Sequence, residues 1–264
     1  MIKGKKIAIV TGATGGLGRE FVCLLLKEKN VDEIWALARN EKKLSRLKEK
    51  FGKRIKIYSI DLSSVRQIKC FGEELHEEVG RKNLEISYLV NNAGFAKFCS
   101  YGDLSVEESL NMMHVNMDAV VAMGLVCIPH MKKGSHMINI ASQASFQPLP
   151  YQNIYSSTKS FVRNYSRALN VELKDKGICV TAVCPGWIKT DLYKRAEIGA
   201  KKATTKYVGM VAPDKVAKRA LKDAKKGKDI SVYSIFTKVS HIVAKLLPQR
   251  MMMKIWLKQQ HLDV

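Results

Sequence analysis

Six short apolar runs set the rhythm of this chain: IAIV at 7–10, EIWALA at 33–38, IKIYSI at 55–60, ISYLV at 86–90, HMINIA at 136–141 and ICVTAV at 178–183. Between them lie longer segments whose apolar residues recur at helical spacing, so strands and helices alternate. Parallel strands cannot be joined by a tight hairpin, and this alternation supplies the helical crossovers they need. The runs are apolar at nearly every position rather than at every second one, as expected of strands covered by helices on both faces. The pattern predicts a single α/β domain: a doubly wound parallel sheet of about seven strands with helices on both faces. A short strand near Ile230–Tyr233 would close the sheet. The 264 residues, 46% of them hydrophobic, suffice for one core, and no linker or repeat divides them.

The first run ends in TGATGGLG, Thr11 to Gly18, and the helical segment REFVCLLLKE follows at once. A plain tight turn needs one or two glycines, whereas this one has Gly12, Gly15, Gly16 and Gly18. Such a turn brings a phosphate close to the helix N-terminus, where unpaired N–H groups and the helix dipole favour negative charge. The turn therefore points to a bound nucleotide.

The spacing Thr-Gly-x-x-x-Gly-x-Gly resembles that of the short-chain dehydrogenase/reductase family, and further matches follow in order. Asp61-Leu62 comes after the third run and Asn91-Asn92-Ala93-Gly94 after the fourth. Asn116 lies in the next helix and Ser142 after the fifth run. Tyr155 and Lys159 follow, then Pro185-Gly186 and Thr190 after the sixth. The resemblance implies a Rossmann fold and a nicotinamide cofactor. It assigns cofactor contacts to Gly12, Thr14, Gly15, Gly16, Leu17, Gly18, Asp61, Leu62, Asn92, Ala93, Gly94, Tyr155, Lys159, Pro185, Gly186, Ile188 and Thr190. On this reading residues 1–233 form the catalytic domain, with a substrate segment at about 187–212, and residues 234–264 an amphipathic helical extension.

The second run ends WALARN, with Ala38 where an NAD-binding protein usually carries an acidic residue for the ribose 2′-hydroxyl. Arg39 comes next, and a guanidinium can clamp a 2′-phosphate in two hydrogen bonds. The expected cofactor is NADP(H) rather than NAD(H), held by Arg39 with help from Asn40. The competing use of Arg39 is to cap the strand and pair with Glu41, which would leave selectivity loose.

Tyr155 and Lys159, four residues apart in YSSTK, share one face of a helix. A fixed ammonium beside a phenol stabilises the phenolate and lowers its pKa. By resemblance, Tyr155 donates a proton to a carbonyl oxygen during hydride transfer, and Ser142 hydrogen-bonds that oxygen. Lys159 holds the nicotinamide ribose, and Asn116 anchors the water that relays protons to Lys159. The other reading of Asn116 is a polar residue that merely kinks an apolar helix.

The segment after Gly186 supplies Trp187, Leu192, Tyr193 and Tyr207 as candidates for an apolar substrate pocket, joined by Phe95, Phe98, Gln143 and Phe146 behind the strands. From Ile235 the apolar residues fall on one helical face until Pro248, after which MMMKIWLK begins a second apolar and basic segment. This tail is suited to cover the cleft, join subunits or lie at a membrane periphery beside anionic lipid.

The 45 basic and 24 acidic residues give a net charge of +21. No zinc-finger spacing, aromatic RNA signature or isolated basic arm accompanies it, so a solvated lysine surface is expected rather than nucleic-acid binding. The six histidines have no metal-ligand spacing and the six cysteines no Cys-x-x-Cys pair, which predicts no metal and buried free thiols. The opening MIKGKKIAIVTG shows no apolar leader. No apolar stretch approaches the roughly 18 residues of a membrane span, so the expected location is cytoplasmic. The expected partners are a small ketone or alcohol, such as a steroid or bile acid, and further copies of the chain as a homodimer or homotetramer. A non-catalytic NADP(H)-binding regulator and a basic protein working mainly at membrane or nucleic acid are the alternatives.

Overall fold

A computed structural model describes residues 4–190, 192–197, 204 and 206–262. Positions 191, 198–203 and 205 of the expected substrate segment lie outside the described residues. The strands are β1 (Lys5–Thr11), β2 (Glu33–Ala38), β3 (Ile55–Ser59), β4 (Leu84–Asn91), β5 (Met131–Ile140), β6 (Cys179–Val183) and β7 (Ile230–Ser231). All pair in parallel, in the order β3-β2-β1-β4-β5-β6-β7. The helices are α1 (Gly16–Leu25), α2 (Glu41–Phe51), α3 (Val65–Lys82), α4 (Val106–Met113), α5 (Ala119–Cys127), α6 (Asn153–Glu172), α7 (Leu192–Ala196), α8 (Pro213–Lys225), α9 (Ile235–Leu246) and α10 (Gln249–Gln260).

The continuous apolarity of the strands serves both faces of the sheet. Ala8 and Val10 of β1 pack with Phe21 of α1, Leu44 of α2 and Val216 of α8. Ile7 and Ile9 point the other way, toward Phe71 and Leu75 of α3 and Met123 of α5. Strand order reverses between β1 and β4, and the carboxyl ends of those two strands frame the crevice where ligands bind in such folds.

Two strand boundaries depart from the sequence reading. β5 begins at Met131, ahead of the apolar run, because the polar KKGS stretch is absorbed at a shift in register between Ile86 and Tyr88. β7 is only two residues long, an edge strand that pairs with β6 through Ala182 and Val183.

Residues Val106–His130 make one helix, long and apolar enough to cross a membrane, where the sequence reading expected none. It packs on the sheet through Ala119, Met123 and Cys127. The thiols also differ from expectation: Cys127 and Cys184 are buried, but Cys70 is exposed.

Candidate active site

The glycine turn is built by close backbone approach. Gly12 adopts φ +61°, and a Cβ at Gly18 would collide with the Gly12 carbonyl. A Cβ at Gly16 would lie 2.8 Å from Cγ2 of Thr190. The turn is locked to the end of β4, where the Asn92 side-chain amide donates to the carbonyls of Thr11 at 3.0 Å and Gly12 at 3.2 Å. In return, the Thr11 hydroxyl accepts the backbone N–H groups of Asn92 and Ala93, both at 3.0 Å. Helix α1 has no side-chain cap and no acidic residue in its first turn. Its leading N–H groups therefore face the crevice without an internal acceptor from a cap, an arrangement that fits a phosphate.

Arg39 and Asn40 line the same crevice, together with Asp61 and Leu62. The Asn40 side-chain oxygen accepts the N–H of Lys43 at 2.9 Å, so it caps α2 rather than standing free for a ligand. Arg19 and Lys43 line the crevice too and were missed from sequence, because neither belongs to a motif.

Ser142, Tyr155 and Lys159 meet on the floor of the cleft. Lys159 is 5% exposed, and its ammonium donates to the Ile140 carbonyl at 2.8 Å while lying 5.9 Å from the centre of the Tyr155 ring. Burial pushes the Lys159 pKa down to about 8. Burial also raises the Tyr155 phenol above its ordinary value, and the hydrogen bond to the Ser142 hydroxyl works against that. The sequence reading expected Lys159 to lower this phenol. In the fold, desolvation of the Tyr155 phenolate outweighs every other influence, and the Lys159 ammonium is aimed at Ile140.

Asn116 is fully buried within a single π-helical turn, His114–Asp118, between α4 and α5. Its amide donates to the Phe95 carbonyl at 3.0 Å and the Thr158 hydroxyl at 3.1 Å, and its oxygen accepts the Phe95 N–H at 3.1 Å. A Cβ at Gly94 would lie 2.9 Å from the Asn116 oxygen and 3.3 Å from the Lys159 nitrogen, so the absent side chain lets both groups converge there. Asn116 thus sits in the distorted turn of the helix and also reaches the neighbourhood of Lys159.

The cleft has a volume of about 1060 Å³. Pro185, Gly186, Ile188 and Thr190 line it, as do Phe95, Phe98, Gln143, Phe146, Trp187, Leu192 and Tyr193. Tyr207 does not: it packs edge-on to Trp187, ring centres 4.9 Å apart, and tilted against Tyr193 at 4.8 Å, supporting the wall instead of forming it. The tail folds over the mouth. Phe236, Val239 and Val243 of α9 and Met252, Ile255 and Trp256 of α10 line the cleft. The Trp256 indole donates to the Pro150 carbonyl at 3.1 Å, and His241 stacks on Phe146 at 3.9 Å. The helical period showed that this tail had an apolar face, but not what the face would meet.

The family model for short chain dehydrogenase matches residues 6–201. Very-long-chain 3-oxoacyl-CoA reductase-B of Danio rerio is 32% identical over 203 residues, 72% of this chain and 61% of that protein. 17-beta-hydroxysteroid dehydrogenase type 3 of Mus musculus is 30% identical over 197 residues, 71% of this chain and 61% of that protein. The matched region thus spans about three-fifths of those two relatives. Among solved structures, the closed form of serine dehydrogenase complexed with NADP+ is 27% identical with a TM-score of 0.74, covering 86% of this chain and 93% of that one.

Proposed function

The chain belongs to the short-chain dehydrogenase family, and from that premise we propose that it is an NADP(H)-dependent reductase interconverting a lipophilic ketone and its secondary alcohol. It is an oxidoreductase acting on CH–OH groups with a nicotinamide cofactor. The proposal concerns the form of the cofactor, the substrate and the role of each residue. One observation carries it: Ser142, Tyr155 and Lys159 meet on the floor of an apolar cleft that also receives the uncapped N-terminus of α1.

Gly12 to Gly18 and Thr190 would hold the pyrophosphate, Asp61 and Leu62 the adenine, and Asn92 to Gly94 with Pro185, Gly186 and Ile188 the nicotinamide side. Arg39, Lys43 and Arg19 line the cleft, and their positive charge would suit a ribose 2′-phosphate, which favours NADP(H). The NADP+ held by serine dehydrogenase agrees with that choice.

When bound, the reduced cofactor supplies a hydride to the carbonyl carbon. Tyr155 gives its phenolic proton to the carbonyl oxygen, and the Ser142 hydroxyl donates a hydrogen bond to the same oxygen as charge gathers on it. Lys159 holds positive charge near the phenolate and orients the ribose. Asn116, beside Gly94 and Lys159, would hold the water through which the proton on Tyr155 is replenished. Phe95, Phe98, Phe146, Trp187 and Tyr193 exclude water and favour a bulky apolar substrate. Gln143 is the polar group among them that could orient it.

We take residues 1–233 as the catalytic domain and 234–264 as an extension that roofs it. Val106, Leu110, Leu125, Phe161 and Val171, exposed on the outer helices, suit pairing with a second copy.

The test is cofactor oxidation over a panel of ketosteroids, bile-acid ketones, acyl ketones and small diketones. Turnover of a bulky apolar ketone with a higher kcat/KM for NADPH than for NADH is expected. Preference for NADH would overturn the cofactor assignment. Cofactor binding without turnover on any ketone would favour a regulator over an enzyme.

A further inference from the structure

Helix α9 turns part of its apolar face to the cleft and the rest outward. Ile235, Val239, Ile242 and Leu246 fall on one helical face, and they are 79%, 52%, 57% and 75% exposed. The residue that α9 buries is a threonine, Thr237. Met251 and Ile255 of α10 extend the exposed surface, at 49% and 44%. Between Ile230 and Leu262 there is no Asp or Glu, while Lys238, Lys245, Arg250, Lys254 and Lys258 all stand exposed. An apolar stripe edged by cations alone matches the boundary of an anionic bilayer, where acyl chains accept the stripe and headgroups meet the lysines. It does not match a second copy of the same face, because an isologous contact would bring like charges together.

The stripe is also continuous with the cleft. Phe236, Val239 and Ile255 line the cleft while remaining 43%, 52% and 44% exposed, so they form the rim of its mouth. We propose that α9 and α10 form an interfacial surface that seats the protein on anionic membrane with the cleft mouth facing the lipid, so that a bilayer-dissolved ketone enters without crossing water. The first half stands on the surface alone. The delivery of substrate rests on the oxidoreductase reading given above.

The experiment uses the full chain with vesicles of phosphatidylcholine and of a phosphatidylcholine–phosphatidylglycerol mixture. The variants are I242E/L246E, which touch neither the cleft lining nor the site residues, and K238E/K245E. Co-sedimentation with the mixed vesicles is expected, weaker with phosphatidylcholine alone and reversed by high salt. Each variant should lower it by about tenfold or more. Retained NADPH binding and an unchanged circular dichroism spectrum establish that the variants fold. Equal partition of parent and variants, or no sedimentation of the parent, overturns the proposal. So does a change in oligomeric state by I242E/L246E without vesicle binding, which would assign the stripe to a second copy.

The kinetic arm compares a water-soluble ketone with one dissolved in the bilayer. Only the latter should slow in I242E/L246E, and equal rates for parent and variant on the bilayer-dissolved ketone would overturn delivery. Failure of both ketones in the parent would sink the catalytic reading while leaving the vesicle result to stand or fall alone.

Discussion

Replacing Lys159 by Met should leave the protein more stable and inactive. Burial holds the Lys159 ammonium at a pKa of about 8 against an ordinary value of 10.5. Each pH unit in that gap is worth about 1.4 kcal/mol, so keeping the charge in this site at neutral pH costs about 3 kcal/mol. Methionine has similar length and no charge. It removes that cost but gives up the hydrogen bond to the Ile140 carbonyl, which contributes about 1 kcal/mol. The net expectation is a gain of about 2 kcal/mol at neutral pH.

The dependence on pH gives the sign of the effect independently. Below the folded value of about 8, lysine is protonated in both folded and unfolded chains, so the full difference between variant and parent is present. Between about 8 and 10.5 the folded parent has released the proton while its unfolded chain keeps it. The parent therefore gains stability as pH rises through this window, and the difference narrows. Urea unfolding across this pH range measures both effects. A variant less stable than the parent at neutral pH, or a difference that does not change through the window, would refute the reasoning.

Three further outcomes are expected. Thr11→Val leaves the N–H groups of Asn92 and Ala93 without their shared acceptor, which should lower stability by about 2–4 kcal/mol in urea unfolding and weaken cofactor binding by fluorescence titration. Arg39→Ala with Lys43→Ala should reduce kcat/KM for NADPH by about tenfold or more while changing that for NADH by less than about threefold. Trp256→Ala removes a cleft wall and the hydrogen bond to Pro150, so steady-state kinetics should show KM rising for a bulky ketone and little change for a small diketone.

The sheet was legible in the sequence because strands covered on both faces are apolar at nearly every position, and each of the six short apolar runs became one. The glycine turn was legible for a similar steric reason, since Gly12, Gly16 and Gly18 stand where a Cβ would strain or collide. The start of β5 was hidden because the polar stretch from Lys132 to Ser135 breaks the apolar pattern, while pairing with β4, made at Met131, resumes only at His136. Lys43 was hidden because it reaches the crevice through the fold of α2 against β3, and no spacing signals that. Tyr207 shows the limit for aromatic candidates: composition places it near the pocket, but only packing shows it behind Trp187. For α9 the period revealed an apolar stripe, and the fold alone shows that Phe236, Val239 and Val243 line the cleft while Ile235, Ile242 and Leu246 face outward.

The central claim is that Tyr155 transfers the proton. Tyr155→Phe removes one oxygen from a half-buried ring and leaves Lys159, the glycine turn and the cleft walls in place. Stopped-flow NADPH oxidation with the best ketone, alongside NADPH titration, should show turnover lowered by at least about a thousandfold with cofactor affinity near that of the parent. Substantial turnover in Tyr155→Phe would contradict the account.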